Sequence, residues 1–269
     1  MTERVEVNGV ELAYEVHGSR ETGGVPLLLV HGYTGSRLDW IDVIDRLAAE
    51  RPVIAYDHRG HGESTNTGDA ATYTFAELTA DLAGFVRATG LDRYDLLGHS
   101  MGGMVALRHM ATAPAGVRSL VPMDTSAWPL PASRELFQAS FTVAREHGMA
   151  AVFALMEPFL PDDGRGRELK ERIRIKYDQM DPVAFCALGD EISDAAPVAD
   201  TLGAIAVPTT VIVGENDSPF RGPSDEMAAN IPGAQLVVVP GAAHCPQEDD
   251  PSKWCAIVEA HLARAAAAS

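Results

Sequence analysis

Cysteine is scarce in this chain of 269 residues, and the three that it has do not form a recognisable set. Cys186, Cys245 and Cys255 include no Cys-x-x-Cys pair, and their odd number leaves at least one thiol unpaired in any disulfide arrangement. The N-terminal stretch MTERVEVNGV lacks the basic and apolar regions of a signal peptide. These absences predict a protein of the reducing cytoplasm.

Basic residues are also few, because 21 Lys and Arg face 38 Asp and Glu and give a formal net charge of −17. Such a surface repels polyanions, so we predict no nucleic-acid partner. No apolar run approaches the roughly 18 residues that span a bilayer, so we expect no membrane partner. The remaining composition is that of an ordinary globular protein with a full core. The composition does not determine the oligomeric state, and it is compatible with a homodimer.

Short apolar runs alternate with helical segments along most of the chain. The first segment surrounds Asn8-Gly9, the dipeptide of a tight β-hairpin turn. Later runs are continuous and bounded by Gly or Pro, as in strands buried on both faces. These runs are Leu27–Val30, Val53–Tyr56, Leu120–Met123, Thr210–Val213 and Leu236–Val239. Helical spacing covers Trp40–Glu50, Phe75–Thr89, Met101–Thr112 and Pro251–Ala265. The alternation predicts an α/β fold, a mostly parallel sheet with helices on both faces.

The segment 126–197 breaks this alternation, because it contains helix-like stretches and no convincing strand. We interpret it as a helical cap inserted into one core domain formed by residues 1–125 and 198–269. An independent helical domain fits less well, since strands resume at Val207. The basic stretch GRGRELKERIRIK within the insertion is expected to be a solvated helix face.

Ser100 lies between two glycines in LLGHSMGG, after an apolar run and before a helical pattern. The sequence Gly98-His99-Ser100-Met101-Gly102 fits G-x-S-x-G, the elbow in which a strand turns sharply into a helix and exposes a nucleophile. The strained turn leaves no room for side chains at Gly98 and Gly102. Ser100 is therefore the predicted nucleophile, and the following helix directs its N-terminal N–H groups at the reacting centre.

A serine hydroxyl needs a base, and His244 is the candidate among nine histidines. It follows the last predicted strand, so its loop returns to the sheet edge where Ser100 lies. Asp217 ends the preceding strand and would orient the imidazole of His244. Asp124, one strand earlier, could reach the same place. We favour Asp217 because the turn that starts at Gly214 presents a short carboxylate, and we expect Asp124 to line the pocket or to cap the chain entering the insertion.

The backbone N–H groups of Met101 and Tyr33 are the predicted oxyanion-hole donors, one from the elbow and one from the HGYTGS loop. Aromatic and large apolar residues of the insertion are candidates for the pocket, although each could instead belong to the insertion's own core. The candidates are Trp128, Leu130, Phe137, Phe141, Phe153, Met156, Phe159 and Phe185.

Five segments, in order, resemble the α/β-hydrolase superfamily over essentially the whole chain: LLLVHGYTGS, VIAYDHRGHGES, LLGHSMGGMVA, VPTTVIVGEND and GAAHCPQEDDP. The resemblance implies an eight-stranded, mostly parallel sheet with a helical cap. It also implies that Asp57–Ser64 is a structural turn, so that His58 and His61 are not metal ligands. We accordingly expect neither a metal nor a cofactor. The chain is most similar to small cofactor-free serine esterases and lactonases. Serine in the nucleophile position argues against epoxide hydrolases and haloalkane dehalogenases, which use aspartate.

These residues together predict an enzyme that cleaves a carboxylic ester or lactone of a small, largely apolar substrate through an acyl-enzyme. The same triad would equally serve a C–C bond hydrolase of ring-fission products, or a cofactor-free perhydrolase or haloperoxidase. A non-catalytic ligand-binding protein on the same fold is a further alternative, because fold does not fix function. The complete Ser, Asp and His set argues against it.

Overall fold

Eight strands form one sheet in the computed structural model, which describes residues 1–19, 23–130, 132–160 and 164–268. The strands are β1 (Glu3–Val7), β2 (Val10–His17), β3 (Leu27–Val30), β4 (Val53–Tyr56), β5 (Tyr94–His99), β6 (Val117–Met123), β7 (Thr210–Gly214) and β8 (Gln235–Val239). Their order across the sheet is β1-β2-β4-β3-β5-β6-β7-β8. The pairs β1-β2 and β2-β4 are antiparallel and the other neighbours are parallel, which confirms the predicted mostly parallel sheet.

The local sequence explains the edges and the centre of this sheet. Asn8 and Gly9 both have positive φ, 47° and 74°, as the predicted hairpin turn between β1 and β2 requires. The central strand β3 is buried on both faces. Leu28 and Val30 point into one hydrophobic core, whereas Leu27 and Leu29 point into the other, as the two-residue period of a strand requires.

Ten helices surround the sheet in the described ranges. They are α1 (Ile44–Leu47), α2 (Phe75–Ala88), α3 (Met101–Ala111), α4 (Ala132–His147), α5 (Met149–Met156), α6 (Gly164–Asp178), α7 (Pro182–Asp194), α8 (Ser218–Asn230), α9 (Pro246–Asp249) and α10 (Pro251–Ala267). Helices α2 and α3 pack into one core through Phe85 and Val105, and α10 packs into the other through Trp254 and Val258. The predicted helices on both faces are thus confirmed. Among the helices of the described ranges, none combines enough length with enough apolar character to cross a bilayer.

Two helical segments differ from the sequence prediction. The continuous helix predicted over Trp40–Glu50 is wrong, because the chain forms a 3-10 turn at Arg37–Trp40 and then the short α1. The ring of Trp40 packs 6.0 Å from that of Trp254 in the core, which fixes the end of the turn and redirects the chain before α1. Helix α8 lies outside the predicted helical segments, and it contains Pro223 although proline disfavours helix interiors.

The insertion between β6 and β7 consists of α4, α5, α6 and α7, close to the four helix-like stretches seen in the sequence. β6 and β7 still pair directly, through Met123 and Ile212, so the chain leaves and re-enters the sheet at neighbouring strands. The division into a core domain and a cap domain at residues 126 and 197 stays a prediction.

Helix α6 is held to the core by buried charge. Lys176 Nζ lies 2.7 Å from Asp39 Oδ1, and both side chains are less than 10% exposed. One turn earlier, Arg172 pairs with Asp42 at 2.8 Å. The expectation that the basic stretch is entirely a solvated face is therefore wrong. Its length and charge resemble those of an exposed helix, but the packing of α6 on the 3-10 turn encloses one of its cations. Only the face that carries Arg174 is solvated as expected.

We expect the substitution Lys176→Met to lower the free energy of unfolding by about 3–5 kcal/mol, because it leaves the Asp39 carboxylate buried without its cation. Urea denaturation would measure the change. Arg174→Met is the matched control on the same helix, since its ion pairs with Glu171 and Asp178 are exposed. Its denaturation midpoint should stay close to that of the unmodified protein. Equal shifts in the two variants would contradict a special role for the buried pair.

Candidate active site

Ser100 occupies the sharp turn between β5 and α3, with φ 53° and ψ −120°. This is a sparsely populated backbone conformation for a residue with a side chain. The two flanking glycines explain how the turn is accommodated. A Cβ on Gly98 would lie 2.5 Å from the carbonyl oxygen of Gly102, and one on Gly102 would lie 2.4 Å from the carbonyl oxygens of Val30 and His31. Neither position has room for any other residue.

A continuous chain of hydrogen bonds joins three of the predicted residues. His244 Nε2 lies 3.0 Å from Ser100 Oγ, and His244 Nδ1 lies 2.8 Å from Asp217 Oδ2. Asp217 is 4% exposed and Ser100 is 8% exposed, whereas the side chain of His244 is 40% exposed. A neutral imidazole with its proton on Nδ1 would donate to Asp217 and accept from the Ser100 hydroxyl. This is the arrangement in which an imidazole can remove the serine proton.

The loop that carries His244 is fixed from several sides. Gly214 ends β7 so close to this loop that a Cβ would lie 2.0 Å from the carbonyl oxygen of Ala243. The Ala243 N–H donates to Asp249 Oδ2 at 2.7 Å. His99 Nε2 donates to the carbonyl oxygen of His244 at 2.7 Å. Burial lowers the pKa of His99 to about 4, so this ring is neutral at physiological pH and keeps that single donor.

Phe220 and His99 touch the ring of His244, and sequence reasoning missed both. The Phe220 ring stacks on the His244 ring at 4.8 Å, and the His99 ring lies 4.9 Å away. His99 stands inside the G-x-S-x-G motif, which was a signal that could have drawn attention to it. Phe220 lies on the unpredicted helix α8, so only the tertiary structure brings it to the site.

The loop after β3 approaches Ser100 closely. A Cβ on Gly32 would lie 3.1 Å from Ser100 Cβ. The Gly32 carbonyl accepts a hydrogen bond from His31 Nδ1 at 2.8 Å, and the Tyr33 carbonyl accepts one from His61 Nε2 at 2.6 Å. Because these carbonyls are held, the orientation of the adjoining peptide groups is held as well. Burial lowers the pKa of His31 to about 3, so its ring is neutral.

The two N–H groups predicted for the oxyanion hole have no competing partner. Within the described ranges, no backbone or side-chain acceptor takes the N–H of Tyr33 or the N–H of Met101. Both residues are less than 10% exposed. Buried N–H groups normally find an acceptor, so two such groups beside Ser100 could be satisfied by an oxygen atom of a ligand.

Three ligand-type atoms of Asp124, Asp217 and His244 lie within 4.8 Å of one another. Within this cluster, His244 Nδ1 and Asp217 Oδ2 are hydrogen-bonded to each other. Asp124 is fully buried, so it lies beneath the site and not on the surface of a pocket. The expectation that it lines the pocket is wrong, because its carboxyl group turns toward β7 and accepts the Gly214 N–H at 2.8 Å.

The pocket candidates divide into three groups. Phe137, Phe141 and Phe185 form an aromatic cluster with Tyr33, in which Phe137 and Phe185 contact the Tyr33 ring and Phe141 contacts Phe185. The Tyr33 ring stacks on Phe185 at 5.2 Å, and its hydroxyl donates to the Phe185 carbonyl. Phe153 packs against the ring of Tyr177 within the insertion, whereas Trp128 and Leu130 are half-buried against the core. The prediction for Phe159 is wrong, because it ends a 3-10 turn with its ring 87% exposed. Met156 is 40% exposed as well.

Comparison with known proteins agrees with the fold described above. The family model described as the alpha/beta hydrolase fold matches residues 25–251. The enol-lactonase of Burkholderia xenovorans has a similar structure, with a TM-score of 0.85 and 25% identity over 97% of this chain and 100% of that one. A thermophilic esterase of Thermogutta terrifontis has a TM-score of 0.84 and 29% identity over 98% of this chain and 99% of that one. The proline iminopeptidase of Heyndrickxia coagulans is 24% identical over 94% of this chain and 96% of its own length.

We expect the substitution Gly32→Ala to lower the rate at which a fluorophosphonate probe modifies Ser100 by about 10-fold, since the new methyl group displaces the loop and the Tyr33 N–H from the attacked phosphorus centre. Its Cβ would also lie 3.2 Å from His99 Nδ1, so the loop must shift by a few tenths of an ångström. Labelling time courses would measure the rate. Gly203→Ala is the control, because nothing lies within 4 Å of the added Cβ. An unchanged rate in the Gly32 variant would contradict the proximity argument.

Proposed function

The chain belongs to the α/β-hydrolase family, and from that premise we propose that it is a serine hydrolase that cleaves a carboxylic ester or lactone through an acyl-enzyme. The observation that carries the proposal is the unbroken hydrogen-bond chain from Ser100 Oγ through His244 to Asp217. A serine hydrogen-bonded to a histidine, which is itself hydrogen-bonded to an aspartate, is the arrangement that performs nucleophilic acyl transfer.

The first half of the proposed reaction forms the acyl-enzyme. Ser100 Oγ attacks the carbonyl carbon while His244 Nε2 takes its proton, and the Asp217 carboxylate stabilises the resulting imidazolium. The N–H groups of Tyr33 and Met101 donate to the oxygen atom that becomes negative. The tetrahedral intermediate then collapses, and His244 returns the proton to the leaving alkoxide oxygen.

In the second half of the reaction, water takes the place of the serine as the nucleophile. His244 removes a proton from a water molecule, which attacks the acyl carbon, and the proton then returns to Ser100 as the carboxylic acid leaves. In a lactone the leaving alcohol remains part of the acyl group, so the product is a hydroxy acid. Neither half requires a metal ion or an organic cofactor.

The surroundings of Tyr33 support a small, largely apolar substrate. Tyr33 belongs to the loop that approaches Ser100. Phe137 and Phe185 from the insertion pack against its ring, and Phe141 packs against Phe185. We therefore propose that residues 126–197 form the cap over the site and select the substrate. The proposed partner is a small molecule, and the cytoplasmic location stays a prediction.

We expect the substitution Ser100→Ala to lower the rate of p-nitrophenyl acetate hydrolysis by at least about 10³-fold, because it removes the hydroxyl that forms the acyl-enzyme. A fluorophosphonate probe should label the unmodified protein and leave this variant unlabelled. Ser252→Ala, at an exposed serine on α10, is the control that should retain both properties. Circular dichroism would check that each variant is folded. Hydrolysis that persists without Ser100 would refute the proposed nucleophile.

We also expect p-nitrophenyl esters of short acids or small lactones to be turned over faster than long-chain esters, because a cap over Ser100, as proposed, would leave room for a small substrate. A chain-length series measured beside a lactone panel, by kcat/KM, would test this. Turnover of a ring-fission diketone alone would instead favour the C–C bond hydrolase. Labelling of Ser100 without turnover of any substrate would favour a binding protein.

A further inference from the structure

A second carboxyl group lies buried beside the acid of the triad. Asp124 directly follows β6, has a φ of 44° and is fully buried. Its N–H donates to the carbonyl of Ile212 in β7 at 2.9 Å, and its Oδ1 accepts the N–H of Gly214 at 2.8 Å. Backbone and side chain are thus both attached to β7, the strand whose end leads to Asp217. The position of Asp124 is therefore as fixed as that of the triad itself.

The surroundings of the other carboxyl oxygen, Oδ2, indicate the protonation state of Asp124. Within the described residues, Asp124 Oδ2 is buried and receives no hydrogen bond from any donor. The titratable groups that face Asp124 are Asp217, His244, Cys245 and Asp249, of which two are carboxylates and none is a lysine or arginine. A buried, ionised carboxylate in such surroundings would be strongly unfavourable.

Two neighbouring buried carboxyl groups avoid this unfavourable free energy when they hold one proton between them. Burial, and after it the contact with Asp217, raises the pKa of Asp124 to about 10. Asp217 Oδ2 already accepts a hydrogen bond from His244 Nδ1, and a carboxylate accepts such a bond more strongly than a carboxylic acid does. Asp124 is therefore the neutral member of the pair at pH 7. A neutral carboxylic acid has an O–H donor, which a carboxylate lacks.

We propose that Asp124 is a positioning residue of the triad, in which its Oδ2–H donates a hydrogen bond to the Asp217 carboxylate and holds that carboxylate toward His244. The inference rests on the proposed function, since it assigns Asp217 as the acid that orients the base. Without the O–H of Asp124, the carboxyl group of Asp217 loses one of the hydrogen bonds that fix the rotation of its side chain. A misdirected acid leaves the imidazole in the wrong tautomer or orientation for proton transfer from Ser100.

The proton on Asp124 should also affect stability. In the folded protein the carboxyl group keeps its proton, whereas in the unfolded chain it loses it at about pH 4. Unfolding therefore releases a proton between about pH 4 and pH 10, so this group's contribution to stability is full below pH 4 and decreases as pH rises through that range. An asparagine at this position keeps an N–H donor and an acceptor for the Gly214 N–H, but it cannot titrate.

The test compares Asp124→Asn with Asp124→Leu, which has a similar shape but no donor. We expect the Asn variant to keep kcat for a p-nitrophenyl ester within about 3-fold at pH 7.5, and the Leu variant to lose about 100-fold with a much smaller change in KM. Above about pH 9 the unmodified enzyme should lose activity that the Asn variant retains. A kcat for the Leu variant close to that of the unmodified enzyme would overturn the proposal, as would equal losses in the two variants.

Urea denaturation between pH 5 and pH 9 provides a second readout that needs no substrate. We expect the ratio of folded to unfolded protein to decrease more steeply with pH in the unmodified chain than in the Asn variant, by up to about 10-fold per pH unit. Parallel curves would show that Asp124 carries no extra proton and would overturn the proposal even if the Leu variant fails to fold. Failure of the Ser100→Ala test would refute the proposed function separately, because the denaturation result does not depend on catalysis.

Discussion

The strained backbone of Ser100 is the constraint on which the rest of the site depends. A non-glycine residue in such a conformation costs about 1–3 kcal/mol, which the surrounding structure must offset. Here β5 and α3, both extensively buried, enclose the turn, and backbone atoms pack where side chains at Gly98 and Gly102 would otherwise be. The same close packing brings the β3 loop to Ser100. The strain at Ser100 and the position of the loop after β3 are therefore two aspects of one packing arrangement.

Uncharged polar side chains support the loops that surround Ser100 and His244. The rings of His31 and His99 are buried with pKa values lowered to about 3 and about 4, so each acts as a fixed donor to a carbonyl and not as a charge. The proposed neutral Asp124 belongs to the same set of supports. The uncharged rings of His31 and His99 therefore add no charge beside the hydrogen bond between His244 and Asp217. A site built in this way concentrates its electrostatic effect on the base.

The insertion contacts both the loop after β3 and the 3-10 turn that follows it. Tyr33 is enclosed by α7 through Phe185, and Asp39 a few residues later is paired with Lys176 of α6. The segment from Tyr33 to Asp39 directly follows, along the chain, the peptide groups that lie beside Ser100. A shift of the insertion would thus be transmitted to the proposed oxyanion hole, because buried aromatic stacking and a buried ion pair leave little freedom to move independently.

Local rules in the sequence were sufficient for the strands, the hairpin and the elbow, since alternation, turn dipeptides and glycine spacing act over a few residues. They also identified His244 with two candidate acids, Asp217 and Asp124. Only the tertiary structure shows that Asp217 is the carboxyl group hydrogen-bonded to His244, because both candidates end neighbouring strands and the rotation of each carboxyl group depends on contacts from distant loops. The burial of Lys176 and the exposure of Phe159 were decided in the same way. Residue type and spacing do not determine which helix face another segment will cover.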